Sequence, residues 1–129
     1  MSDWVWVPVA AIHIFHDRQI ARHGGAPGLR DAGLVETGAA RAQNLADYGE
    51  PDVFDLAAAY TFGLAKAHAF IDGNKRTAFV TAVTFLRLNG WAFRPDPITG
   101  VRMMEDLAAS VIDEEVFAKW LRDEAHPLG

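Results

Sequence analysis

Two stretches of this chain are apolar nearly all round, and together they limit the fold more than any other feature. Val53, Phe54, Leu56, Tyr60, Phe62 and Leu64 cover the run from Val53 to Ala65. Phe79, Val80, Val83, Phe85 and Leu86 cover the run from Thr77 to Leu88. A helix without a polar face must be enclosed by other elements, and each run is too short to cross a bilayer. The chain therefore needs amphipathic helices to wrap two central ones, and the remaining sequence supplies them. Pro8 suits a helix start, because its missing N–H would have no partner there. Val9, Ile12, His16 and Ile20 then fall on one face, up to a stop at Gly24-Gly25. Pro27-Gly28 favours a turn within the loop Gly24 to Gly33, and Asp31 is placed to cap a helix from about Ala32 to Ala46. Beyond the second central run, Asn89-Gly90 marks a stop and Trp91 to Arg94 reads as extended. Asp96-Pro97 opens a fifth helix with Ile98, Val101, Met104, Leu107 and Val111 at helical spacing. Asp113 caps a sixth, facing the core through Val116, Phe117, Trp120 and Leu121. The expectation is an all-α, compact six-helix bundle with two buried central helices, folded as a single domain over residues 1–129.

Charge and composition narrow the function. A formal net charge of −5 leaves no basic footprint, so direct binding of nucleic acid across a broad face is not expected. The absence of cysteine excludes disulfides and thiolate metal sites and suits a reducing, cytoplasmic setting. Met1-Ser2-Asp3-Trp4 has no basic segment followed by an apolar run, so neither a secretory leader nor a membrane association is expected.

Chemistry concentrates in the joint between the central runs, Lys66-Ala67-His68-Ala69-Phe70-Ile71-Asp72-Gly73-Asn74-Lys75-Arg76. Charges are costly to bury unless paired or solvated. Those flanked here by core must form an ion-pair network or line a cleft. Gly73-Asn74 lets the backbone turn tightly into a helix whose first N–H groups lack intrahelical partners. Those groups and the positive end of the helix dipole make an anion site. Lys75 and Arg76 add full charges, and Arg76 can grip a phosphate through two N–H donors. Asp72 is a hard oxygen ligand suited to sharing Mg²⁺ with nucleotide phosphates. His68 is placed to exchange a proton near neutral pH. Plainer readings exist for each: His68 and Asp72 as helix caps, Lys75 and Arg76 as a solvated pair, Phe70 as the loop's anchor, and His16 as a hydrogen-bonded core histidine. Basic residues at a helix N-terminus oppose its dipole unless an anion is present, which favours the cleft. A P-loop is excluded, because the spaced first glycine and the preceding strand are missing.

The run His68 to Arg76 resembles the signature of the Fic superfamily, His-x-Phe-x-(Asp/Glu)-Gly-Asn-(Gly/Lys)-Arg. Its Lys75 form, with Thr77, is similar to the death-on-curing (Doc) toxin branch. His16-Asp17, Ile20 and His23-Gly24-Gly25-Ala26-Pro27-Gly28 resemble the family's first helix and the glycine-rich turn after it. Phe85 to Gly90 resembles the end of its central helix. The resemblance implies a Fic/Doc-like bundle with a short flap loop, acting as a toxin that modifies a protein hydroxyl. It implies His68 as catalytic base and Asp72 as the Mg²⁺ ligand. It further implies Lys66, Gly73, Asn74, Lys75 and Arg76 as phosphate-binding residues, and Gly25, Pro27 and Gly28 as flap residues that engage the target. An antitoxin binding through a helical tail is the implied partner. Ser110 to Glu115 approaches the spacing of the family's inhibitory motif but ends in glutamate, so inhibition by a separate chain is expected.

In Fic-type nucleotidyl (AMP) transferases the position of Lys75 is glycine and that of Phe79 is a second arginine. In the Doc branch the lysine accompanies transfer of the γ-phosphoryl group of ATP, or another nucleoside triphosphate, to a translation factor, elongation factor Tu by resemblance. The first reading is thus a Doc-like protein kinase. An AMP transferase is the alternative. A non-catalytic nucleotide- or partner-binding member is the third, since Val80 and Lys66 stand where the Doc prototype has asparagine and arginine.

Overall fold

A computed structural model describes residues 3–129; Met1 and Ser2, the head of the segment inspected for a leader, lie outside the described residues. Among the described residues there are six helices: α1 (Val9–His23), α2 (Ala32–Tyr48), α3 (Val53–Ala67), α4 (Asn74–Leu88), α5 (Pro97–Ala108) and α6 (Glu114–Glu124). Two short strands, β1 (Trp91–Ala92) and β2 (His126–Pro127), pair antiparallel, with Trp91 opposite Pro127 and Ala92 opposite His126. None of the helices among the described residues is long and apolar enough to cross a membrane.

The first apolar run becomes the central helix, α3, enclosed by α2, α4 and α6. Its start is fixed by a reciprocal cap: the Asp52 carboxylate accepts from the Asp55 N–H at 2.8 Å and the Asp55 carboxylate accepts from the Asp52 N–H at 3.0 Å. Two glycines set how closely α2 approaches. A Cβ built at Gly38 would lie 2.9 Å from the Gly63 carbonyl oxygen, and one built at Gly63 would overlap the Gly38 carbonyl. The helices cross backbone to backbone, closer than any other pair of residues would permit.

The second apolar run is less enclosed than its composition implies. α4 buries Thr77, Ala78, Thr81, Ala82, Phe85 and Leu86, whereas Phe79, Val80 and Val83 are half-buried. Thr81 reaches the core by donating its hydroxyl to the Thr77 carbonyl at 2.8 Å, one turn back. Its outer apolar side is partly covered, Phe79 meeting Phe93 with ring centroids 6.1 Å apart.

Two sequence-based core faces are corrected. On α5 the buried stripe is Gly100, Met104 and Leu107, while Ile98 and Val101 are 73% and 59% exposed. They lie to one side of that face, which the partly buried Met103 and Ala108 complete, because α5 rests at the rim of the bundle. Val111 falls beyond the end of that helix and is exposed. Val116 is likewise turned outward from α6, whose core residues are Phe117, Ala118 and Leu121, with Trp120 partly buried. The caps stand where expected: Asp31, Asp96 and Asp113 accept from the N–H groups of Gly33, Thr99 and Val116.

The extended segment before α1 closes one end of the core. Asn89 holds Val5 as a strand would, accepting from its N–H and donating to its carbonyl, each at 3.0 Å. Trp6 stacks on Phe85 at 5.5 Å, and the Tyr60 hydroxyl accepts from the Val7 N–H at 3.2 Å. Burial pushes the Tyr60 phenol above its ordinary pKa, a shift that this hydrogen bond opposes.

Candidate functional site

Helix α3 ends at Ala67, and His68 turns the chain out of it in the left-handed region, at φ 51° and ψ 42°. Ala69 and Phe70 then re-enter the core. The Phe70 ring stacks flat on His16, with centroids 3.8 Å apart and planes 8° from parallel, and meets His13 edge-on at 5.6 Å. Asn74 closes the loop: its side-chain oxygen accepts from the Phe70 N–H at 3.0 Å and its amide donates to the Phe70 carbonyl at 2.8 Å. His16 Nε2 lies 2.7 Å from the Asp72 carbonyl oxygen. Phe70 is thus the loop's anchor and His16 a hydrogen-bonded core histidine, as read from the sequence.

Gly73, at φ 78°, begins α4 with no side-chain cap. Among the described residues the N–H groups of Asn74, Lys75 and Arg76 have no protein acceptor. Lys75 and Arg76 are exposed beside them. A helix start that is uncapped, open to solvent and flanked by two cations has the electrostatics of an anion site. The Asp72 carboxylate is exposed and accepts from the Gly73 N–H at 2.8 Å and, more loosely, from the Ala26 N–H at 3.3 Å. The His68 ring is exposed and, among the described residues, has no hydrogen-bond partner, so its nitrogens are free to meet a ligand. The Thr77 hydroxyl, in the first turn of α4, is buried without a partner among the described residues.

The loop between α1 and α2 lies along this segment. Leu29 and Phe70 form an antiparallel bridge; the Arg30 N–H donates to the Ala69 carbonyl at 2.7 Å and the Ile71 N–H to the Gly28 carbonyl at 3.1 Å. Two positions in it demand glycine. Gly25 has φ 113°, and a Cβ there would lie 2.6 Å from the Asp72 carboxylate; Gly28 has φ 124°, and a Cβ would lie 2.9 Å from the Ile71 side chain. Pro27 is exposed between them.

The fold therefore brings the loop bearing Gly25, Pro27 and Gly28 against the segment that carries Asp72, Gly73, Asn74, Lys75 and Arg76, through Ile71 and Asp72, with His68 two residues before the Phe70 anchor. Lys66 is directed elsewhere: its ammonium donates to the Ser110 hydroxyl at 2.6 Å and lies 5.7 Å from the Phe62 ring centre. Asn74 brings its backbone N–H to the helix start while its side chain is spent on the loop. Sequence reasoning missed the His16 contact with Asp72 and the Asn74 clamp on Phe70. The adjacent pair His16-Asp17 carried a signal, but only folding brings residues 56 positions apart together.

The model of the Fic/DOC family matches residues 6–86, from the segment before α1 almost to the end of α4. A protein kinase doc of Escherichia phage P1 is 45% identical over 76 residues, covering 58% of this chain and 60% of that protein. A Toxin Doc of Mycolicibacterium smegmatis is 47% identical over 70 residues, covering 52% of this chain and 53% of that protein. The chain spans a little over half the length of these curated relatives.

Proposed function

The chain belongs to the Fic/Doc family, and from that premise we propose that it is the toxin of a toxin–antitoxin pair, a Doc-like protein kinase that moves the γ-phosphoryl group of a nucleoside triphosphate to a hydroxyl of a translation factor. The observation that carries the reading is the open start of α4. Three backbone N–H groups without protein acceptors among the described residues stand with Lys75 and Arg76, and the exposed His68 lies in the loop that leads to them. The relative from phage P1 bears the name protein kinase.

In the proposed reaction the N–H groups from Asn74 to Arg76 and the two side-chain cations hold the triphosphate. His68 accepts the proton of the target hydroxyl as its oxygen bonds to the γ-phosphorus. The bond from that phosphorus to the bridging oxygen breaks, and the nucleoside diphosphate leaves with the electron pair. Lys66 joins the phosphates only by leaving Ser110. Asp72 fits Mg²⁺ as a single carboxylate, since its two N–H contacts leave other lone pairs open. Among the described residues no three acidic, histidine or cysteine side chains gather as a cage, so Asp72 would hold the ion together with nucleotide oxygens and water. Bound there, Mg²⁺ would neutralise charge on the phosphates. The loop from Gly25 to Gly28 serves as a flap along which an extended target segment lies, held by main-chain hydrogen bonds. Phe79, packed on Phe93, offers no cation where nucleotidyl transfer employs one. Elongation factor Tu is the proposed target, a helical antitoxin tail the proposed inhibitor, and the cytoplasm the proposed site of action.

The test is a translation extract given ATP labelled separately at the α and γ positions. Label from the γ position on one extract protein, lost with His68→Ala, is the expected result. Label from the α position would replace the kinase with a nucleotidyl transferase, and no label from either would favour a non-catalytic binding member.

A further inference from the structure

His16 has no part in the reaction proposed above, yet it is only 2% exposed and lies directly beneath the loop that forms the anion site. Its Nε2 is 2.7 Å from the Asp72 carbonyl oxygen. A carbonyl oxygen can only accept, so Nε2 carries the proton and donates. The ring is held by its stack on Phe70 and closes against Gly73, where a built Cβ would sit 3.6 Å from His16 Cδ2. In a trans peptide the carbonyl and the following N–H point in opposite directions. Drawing the Asp72 carbonyl down to His16 therefore turns the Gly73 N–H away from the core, where it meets the Asp72 carboxylate at 2.8 Å.

We propose that His16 is a positioning residue that selects the orientation of the Asp72–Gly73 peptide and so keeps a carbonyl oxygen out of the phosphate site. Flexible glycine at 73 makes the alternative accessible. Were that peptide to flip, its carbonyl would face outward at the start of α4, a partial negative charge directed at the phosphates. The buried donor on His16 fixes one orientation, because the flipped peptide would oppose one N–H to another. Asp72 is held at the same time, so its carboxylate stays beside both Ala26 and the helix start.

This role rests on the anion-site reading of the preceding section, and the experiment separates the two. His16→Gln and His16→Met lose the aromatic stack equally and match in length and size, but only glutamine keeps an N–H donor. Each full-length chain is titrated with ATP without metal and its thermal midpoint is recorded. The expected result is that the methionine variant binds about tenfold more weakly than the glutamine variant, a difference of about 1.4 kcal/mol, while melting no lower. A merely structural histidine predicts the reverse, because methionine suits a buried apolar position better than glutamine. Equal or tighter binding by the methionine variant, with the unaltered chain binding normally, would overturn the role of His16 alone. Failure of the unaltered chain to bind ATP would overturn the anion site and this role with it.

Discussion

Replacing Gly63 with alanine sets two known effects against each other, and the structure decides which wins. In a helix interior, alanine is favoured over glycine by about 1 kcal/mol. At Gly63 the added methyl would overlap the Gly38 carbonyl of α2 and lie 3.3 Å from the Arg41 Cβ. The obstruction is backbone rather than the end of a flexible side chain, so α2 and α3 must part. Overpacking of this kind costs typically about 1–3 kcal/mol, and a clash with backbone belongs at the upper end. The net expectation is a loss of about 2 kcal/mol, or roughly 6–10 °C in Tm for a chain this size. Gly100→Ala supplies the opposite case. Its methyl would meet nothing nearer than the Pro95 ring at 3.6 Å, an ordinary contact, so the helix propensity gain survives and the variant should be more stable by up to about 1 kcal/mol. Urea unfolding followed by far-ultraviolet circular dichroism measures both, with unchanged m-values confirming that the same transition is compared. Gly63→Ala at or above the stability of the unaltered chain would refute the backbone-contact account of the α2–α3 crossing.

Three further outcomes are expected. His68→Ala should leave Tm unchanged, since the ring is exposed and unbonded among the described residues, while lowering label transfer by about 10²–10⁴-fold; transfer at the original rate would remove His68 as the base. Asp72→Asn should weaken ATP binding more with Mg²⁺ than without, as an amide is a poorer partner for a hard cation; equal losses by calorimetry would leave Asp72 only its contacts to Ala26 and Gly73. Tyr60, with its pKa raised by burial, keeps its proton in the folded chain after the unfolded chain has lost it. Its contribution is full below the ordinary tyrosine range and is lost as pH rises through the folded pKa, so stability should fall above about pH 10. Tyr60→Phe should show a shallower alkaline decline in urea midpoint, and an identical slope would contradict this assignment.

Much of the architecture was legible because it depends on neighbours in sequence. Caps at Asp31, Asp96 and Asp113, the stop at Asn89-Gly90 and the nearly all-round apolar surface of α3 are local properties, and each is found in the structure. What escaped depends on packing between distant segments. Ile98 and Val101 satisfy helical spacing, but α5 at the rim buries the adjacent stripe through Gly100, Met104 and Leu107. The pairing of Trp91–Ala92 with His126–Pro127 joins a strand signal to a two-residue partner that carries none, one of its residues being proline. In the site, the loop chemistry was readable as a contiguous motif, whereas the supports were not. His16, on another helix, and Ser110, which engages Lys66 from the turn after α5, are placed by the fold alone.

The activity proposed is phosphoryl transfer from the open start of α4 to a protein hydroxyl, with His68 as the base. Its most direct test is the intact mass of purified elongation factor Tu after incubation with this chain, ATP and Mg²⁺. The expected result is an increase equal to one phosphoryl group, absent when His68→Ala is used. An increase equal to a whole nucleotidyl group, or a phosphoryl increase undiminished by His68→Ala, would contradict it.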